Sequence, residues 1–127
     1  ACYRGIRWYD TDETKTVVLK WIGFFKQYRD ILESDIIHVR RPDGRDLDCI
    51  LHVSPNTKPR GLAMVFNPLD QPAMKTLTLP IYYSGLSTSA IVRVSDGSPM
   101  ELPIDRGYRI HVPLEIPAND NAWITIE

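Results

Sequence analysis

A chain of 127 residues with 43% hydrophobic and 24% charged residues has the balance of one folded domain with a real core. It is too short for two ordinary domains. Its formal net charge of -1 argues against a nucleic-acid partner, which calls for a strong positive footprint. No apolar run approaches the roughly 18–20 residues of a membrane-spanning helix. No glycine-rich phosphate loop or metal-ligand spacing points to a cofactor.

Residues 1–11 have no clean period. Trp8 and Tyr9 are large rings that either fold back on the helix or sheet or contact a further domain. From Asp12 to Glu33 the pattern is helical. Thr11 or Asp12 can cap it, and Asp12 and Glu13 stand at its positive end. At 100° per residue Val17, Trp21, Phe24, Phe25, Tyr28, Ile31 and Leu32 form one broad apolar face, with Lys26, Asp30 and Glu33 opposite. Gly23 in mid-helix suggests close approach of a neighbouring element. Leu19 and Ile22 fall outside the main stripe, so the helix reads as covered on two sides. Trp8, Tyr9, Leu19 and Ile22 are therefore the candidate interdomain contacts.

After Ser34 the rhythm changes to period two. Ile36 to Arg40 reads as a strand, Arg41-Pro42-Asp43-Gly44 as a tight turn, and Asp46 to Val53 as the returning strand of a hairpin. Gly61 to Asn67 is nearly continuously apolar and predicts a central strand. Lys75 to Ile81 alternates, with Leu77, Leu79 and Ile81 inward. Ser89 to Val94, Met100 to Ile104, Tyr108 to Leu114 and Ala122 to Ile126 come next, separated by turns such as Asp96-Gly97-Ser98-Pro99. In the third of these, Tyr108, Ile110, Val112 and Leu114 face one way and Arg109 and His111 the other. About eight short strands at this spacing predict a mainly β fold, a two-sheet antiparallel β-sandwich with one N-terminal α-helix. The composition breaks at Ser34, dividing a segment-plus-helix over 1–33 from a sandwich over 34–127.

No catalytic set emerges. Asp43, Asp46 and Asp48 lie among Arg40, Arg41 and Arg45, which suits a solvated, ion-paired hairpin better than a calcium loop or an acid/base pair. His38, His52 and His111 lack metal-ligand spacing, and the serines lack a nucleophile-elbow setting. Cys49 alternates with Leu47, Leu51 and Val53 as a small core residue, and a bridge to Cys2 is left open. Tyr82, Tyr83 and Trp123 are the candidate sugar-binding aromatics. The competing reading makes the tyrosines core-edge rings and Trp123 a helix-packing ring.

The run Trp21-Ile22-Gly23-Phe24-Phe25-Lys26-Gln27-Tyr28-Arg29-Asp30-Ile31-Leu32, the strand Ile36 to Arg40 and the stretch Gly61 to Pro68 carry a resemblance. In this order they resemble the last barrel helix and C-terminal β-sandwich of (β/α)8-barrel glycoside hydrolases of the α-galactosidase-like clan. The resemblance covers most of the chain in element order. It implies that residues 1–33 are barrel-side material and that the nucleophile and acid/base carboxylates lie upstream, so none maps here. The partner it implies is the catalytic barrel of the same polypeptide, in a parent enzyme for which secretion or a periplasmic location stays open. The Arg/Asp-rich hairpin 40–48 has no place in the family pattern. The expected function is a non-catalytic accessory domain that stabilises such a barrel. The alternative is a carbohydrate-binding module using surface aromatics.

Overall fold

The computed structural model describes residues 11–127 apart from Pro42. Trp8, Tyr9 and Cys2 lie outside the described residues. Helix α1 spans Asp12–Gln27, and Thr11 is its N-cap, its Oγ1 accepting from the Thr14 N–H at 3.2 Å. The expected single helix is broken at Tyr28, whose φ of -110° and ψ of 20° interrupt the spiral before the short α2, Arg29–Leu32. Beyond the break Tyr28 and Ile31 both turn onto the sheet and pack with Leu62. Ser34 closes the segment by donating its hydroxyl to the Ile31 carbonyl at 2.6 Å. Gly23 does not mark a close approach, because a Cβ placed there would meet nothing within 4 Å.

Eight strands complete the chain: β1 Asp35–His38, β2 Asp48–Val53, β3 Gly61–Phe66, β4 Ala73–Pro80, β5 Ser89–Val94, β6 Met100–Pro103, β7 Arg109–Ile116 and β8 Asn121–Ile126. Six form one sheet in the order β1-β2-β3-β8-β5-β6, and β4 pairs with β7 in a second. Every pairing is antiparallel. The protein is mainly β, with two antiparallel sheets in a sandwich-like arrangement and one 16-residue helix.

Period two explains the layers. In β7 Ile110, Val112, Leu114 and Ile116 are buried while the residues between them are exposed. Their partners in β4 include Leu77 and Leu79, and this face meets Leu51, Val65, Val92, Ile124 and Ile126 of the large sheet in one core. β3 has Gly61, Leu62, Ala63 and Val65 buried, as its near-continuous apolar run predicts for a strand with both faces covered. Its second face lies under α1 and α2, where Leu62 is fully buried. At Gly61 a Cβ would come within 3.1 Å of the Ile126 side chain, so the missing side chain admits that neighbour.

Asn67, just past β3, ties the sheets together. Its amide nitrogen faces the carbonyls of Gln71, Ile116 and Pro117 at 2.9, 3.1 and 3.0 Å, and its Oδ1 accepts from the Leu69 N–H at 3.1 Å. A buried amide so surrounded is satisfied on both ends.

Candidate binding surfaces

Two aromatic clusters and one polar relay stand out. The first cluster sits between α1 and the large sheet. Phe24 lies 5.1 Å from Trp123 and 4.9 Å from Tyr28, and Trp21 packs edge-on to Phe24 at 5.4 Å and to Trp123 at 6.4 Å. Such tilted and T-shaped contacts suit the ring quadrupoles. Trp123 is on β8, opposite Met64 of β3, and fills the space beneath the helix. That is the helix-packing role, and it sets Trp123 apart from Tyr82 and Tyr83. The Tyr28 hydroxyl donates to Asp96 Oδ1 at 3.2 Å. Burial, then the nearby Asp96 charge, raises the Tyr28 pKa above its ordinary value.

Outside this cluster most apolar residues of α1 are exposed. Among the described residues it has no buried member, and Val17 and Leu19 are 54% and 56% exposed. Phe25 and Ile22 are also exposed. The apolar stripe expected to be covered throughout is thus covered only from Trp21 onward, on the side of Phe24, Tyr28 and Ile31. The neighbouring outer face of β1 to β3 is apolar too. Ile36 and Phe66 are exposed there, beside half-buried Ile50 and Met64. The register puts all four on one side of the sheet, since Ile36 opposes His52, Ile50 opposes Met64 and Asp48 opposes Phe66.

The second cluster lies at an end of the sandwich. The strand does not continue through Tyr82-Tyr83, as alternation would require to split the rings. The chain turns instead into one 3-10 turn, Tyr82–Ser84, closed by Gly85 at φ 76°. Both rings therefore emerge on the surface, edge-on to each other at 5.2 Å. Tyr108 joins them from the β6–β7 turn, 5.0 Å from Tyr82. Its expected alignment with Ile110 and Val112 fails because it precedes β7 with φ at 56°, which swings the ring outward. Nothing in the alternating pattern marks this; the Asp105-Arg106-Gly107 turn before it is the only sign.

The polar relay crosses β4 and β7. Thr78 Oγ1 and His111 Nδ1 are 3.1 Å apart, and His111 Nε2 stands 3.2 Å from Asp105 Oδ2. The N–H of Arg109, helped by that of Gly107 and by the His111 ring, holds the Asp105 carboxyl below the usual carboxylate value. Hydroxyl, imidazole and carboxylate in line is the order of a nucleophilic relay. Here it lies on the exposed side of the strands, where water screens its charges, and it joins Thr78 of β4 to His111 of β7.

The Arg/Asp hairpin is ion-paired as expected. Arg40 contacts Asp43 at 3.0 Å and Asp46 at 3.7 Å, and Lys75 reaches Asp46 from the second sheet. The Lys75 ammonium, with the Leu47 N–H, lowers the Asp46 pKa. Cys49 is a free thiol in the core, and burial pushes its pKa up to about 12.

No protein-family model, curated protein or solved structure matches the chain.

Proposed function

We propose that the chain is a non-catalytic accessory domain that packs against, and stabilises, the catalytic (β/α)8 barrel of an α-galactosidase-like glycoside hydrolase in the same polypeptide. The observation that carries this reading is α1, a 16-residue helix with no buried side chain among the described residues and with Val17, Leu19, Ile22 and Phe25 exposed. A helix is held in place chiefly by burying an apolar face. Half of this one is not yet buried. Full burial of one such side chain is worth about 1.5–3 kcal/mol, so several together would supply a strong attachment. Ile36 and Phe66 are further exposed apolar residues, on the outer face of the large sheet, and exposed apolar surface favours an interaction. The resemblance of the Trp21–Leu32 run to a last barrel helix supports a barrel as the partner.

Hydrogen exchange compares the isolated chain with the natural polypeptide. In the isolated chain the amides of residues 13–20 exchange fast. In a natural polypeptide carrying the barrel they become protected, and Leu19→Glu with Ile22→Glu removes that protection. A natural polypeptide without a barrel, or unchanged exchange in one that has it, overturns the reading.

A further inference from the structure

We propose that Tyr82, Tyr83 and Tyr108 floor a binding site for a neutral saccharide, independent of the surface that docks the barrel. Tyr82 is 60%, Tyr83 63% and Tyr108 41% exposed, so the rings contribute little to the core. Three large rings gathered on a surface, with Tyr82 edge-on to the other two, form an exposed aromatic cluster. They line an open depression of about 390 Å³ with Pro55, Leu86 and Ser87, at the small end of the range of ligand sites.

The chemistry of the lining selects the ligand class. None of the residues lining this depression is charged, which disfavours an ionic ligand. Flat aromatic faces suit the C–H face of a pyranose ring, and the phenolic and Ser87 hydroxyls can donate to or accept from sugar hydroxyls. A second depression, of about 330 Å³, adjoins it across Pro55 and is lined by Asn56, Thr57, Lys58, Arg60 and Glu127. These side chains add hydrogen-bonding groups beside the tyrosines. A ligand of linked rings, one against the tyrosines and the next within reach of those groups, fits the pair.

The backbone that carries the rings is tied together by hydrogen bonds. The Ile81 N–H donates to the Tyr108 carbonyl at 2.8 Å, joining the two segments that carry the rings. Buried Ser84 donates its hydroxyl to the Ile81 carbonyl at 2.6 Å and accepts from the Leu86 N–H at 3.2 Å. Gly85 supplies the left-handed turn, and a Cβ there would lie 3.3 Å from Pro55 Cβ and 3.6 Å from Arg60 Nη1. The glycine therefore lets Pro55 stand close to the tyrosines. Preorganisation of this sort lowers the ordering penalty of binding.

The test titrates the full 127-residue chain, labelled with nitrogen-15, with neutral gluco-, galacto-, manno- and xylo-oligosaccharides of α and β linkage. At least one series should saturate, with amide shifts concentrated at Pro55's neighbours, residues 82–87 and Tyr108. Tyr82→Ala and Tyr83→Ala should each weaken that binding about tenfold or more. Leu19→Glu, on the helix, should leave it unchanged. Should Tyr82→Ala not fold, Tyr83→Ala and the shift map of the unaltered chain decide. The proposal is overturned if no series saturates by about 10 mM, a very weak affinity. Shifts lying elsewhere, affinity insensitive to both alanine variants, or a proline-rich peptide binding these rings in preference to every sugar would each overturn it as well.

Discussion

The Tyr28 hydroxyl donates to Asp96 Oδ1 at 3.2 Å, joining the break between the two helices to the β5–β6 turn 68 residues away in sequence. The turn is built to present that carboxylate. Ser95 and Asp96 both take positive φ, at 47° and 59°, and the Gly97 N–H closes onto the Val94 carbonyl at 2.8 Å. The helices are thus tied to the sheet at one end by Tyr28 and Ile31, while Val17 and Leu19 toward the other end are exposed.

Tyr28→Phe keeps the ring contact with Phe24 and removes only the hydrogen bond. Because Asp96 is exposed and can turn to water, the loss should be small, about 1 kcal/mol. It should appear as faster amide exchange across α1 and α2, with the amides of β3 and β8 unchanged. Equal acceleration in the sheet would mean that helix and sheet open as one unit.

Asn67→Ala should be far more damaging. It strips partners from the carbonyls of Gln71, Ile116 and Pro117 and from the Leu69 N–H, in a buried setting. At about 0.5–1.5 kcal/mol per bond, the expected loss is roughly 2–6 kcal/mol, read as a lower urea midpoint with an unchanged slope. Asn67→Asp should be at least as harmful, since a carboxylate would face those carbonyls.

These two residues show what was legible in the sequence. Strand alternation reports the inner face directly, and Leu77, Leu79, Ile110 and Val112 are buried as their spacing predicts. Helical spacing likewise groups Phe24, Tyr28 and Ile31 on the face that packs. Alternation says nothing where the backbone leaves it. The break at Tyr28, the 3-10 turn that exposes Tyr82 with Tyr83, and the left-handed Tyr108 are departures of the backbone from regular spacing. For the same reason the tyrosine platform could not be assembled from the chain alone: its third ring arrives from another turn. Trp123 was legible as far as its parity, and the presence of the helix over that face decides its role.

His52 gives a pH dependence with a definite sign. The ring is half-buried on β2 beside Leu62, its Nδ1 is buried with no hydrogen-bond partner among the described residues, and burial depresses its pKa below the ordinary 6.5. The unfolded chain therefore binds a proton more readily than the folded one. The stabilisation is complete above pH 6.5 and is lost as pH falls through 6.5 toward the lower folded value. Urea midpoints measured from pH 7.5 down to 5 should fall across that window, and His52→Gln should flatten this part of the profile. An unchanged slope in the variant would place the proton uptake on another group.

Cys49 offers a readout of global opening. Its thiol is buried in the core cluster, and a pKa of about 12 leaves almost no thiolate at pH 8. In a Cys2→Ser background a thiol reagent should therefore modify the folded chain at least about 100-fold more slowly than the urea-unfolded chain. Because Cys49 lies in the core between the two sheets, reaching the sulfur requires the sandwich to open. The modification rate should consequently rise in Asn67→Ala, which weakens the whole sandwich, and stay near its original value in Tyr28→Phe, which loosens only the helices. Rapid modification of the unaltered folded chain would mean that β1 detaches locally, and the rate would then be insensitive to Asn67→Ala.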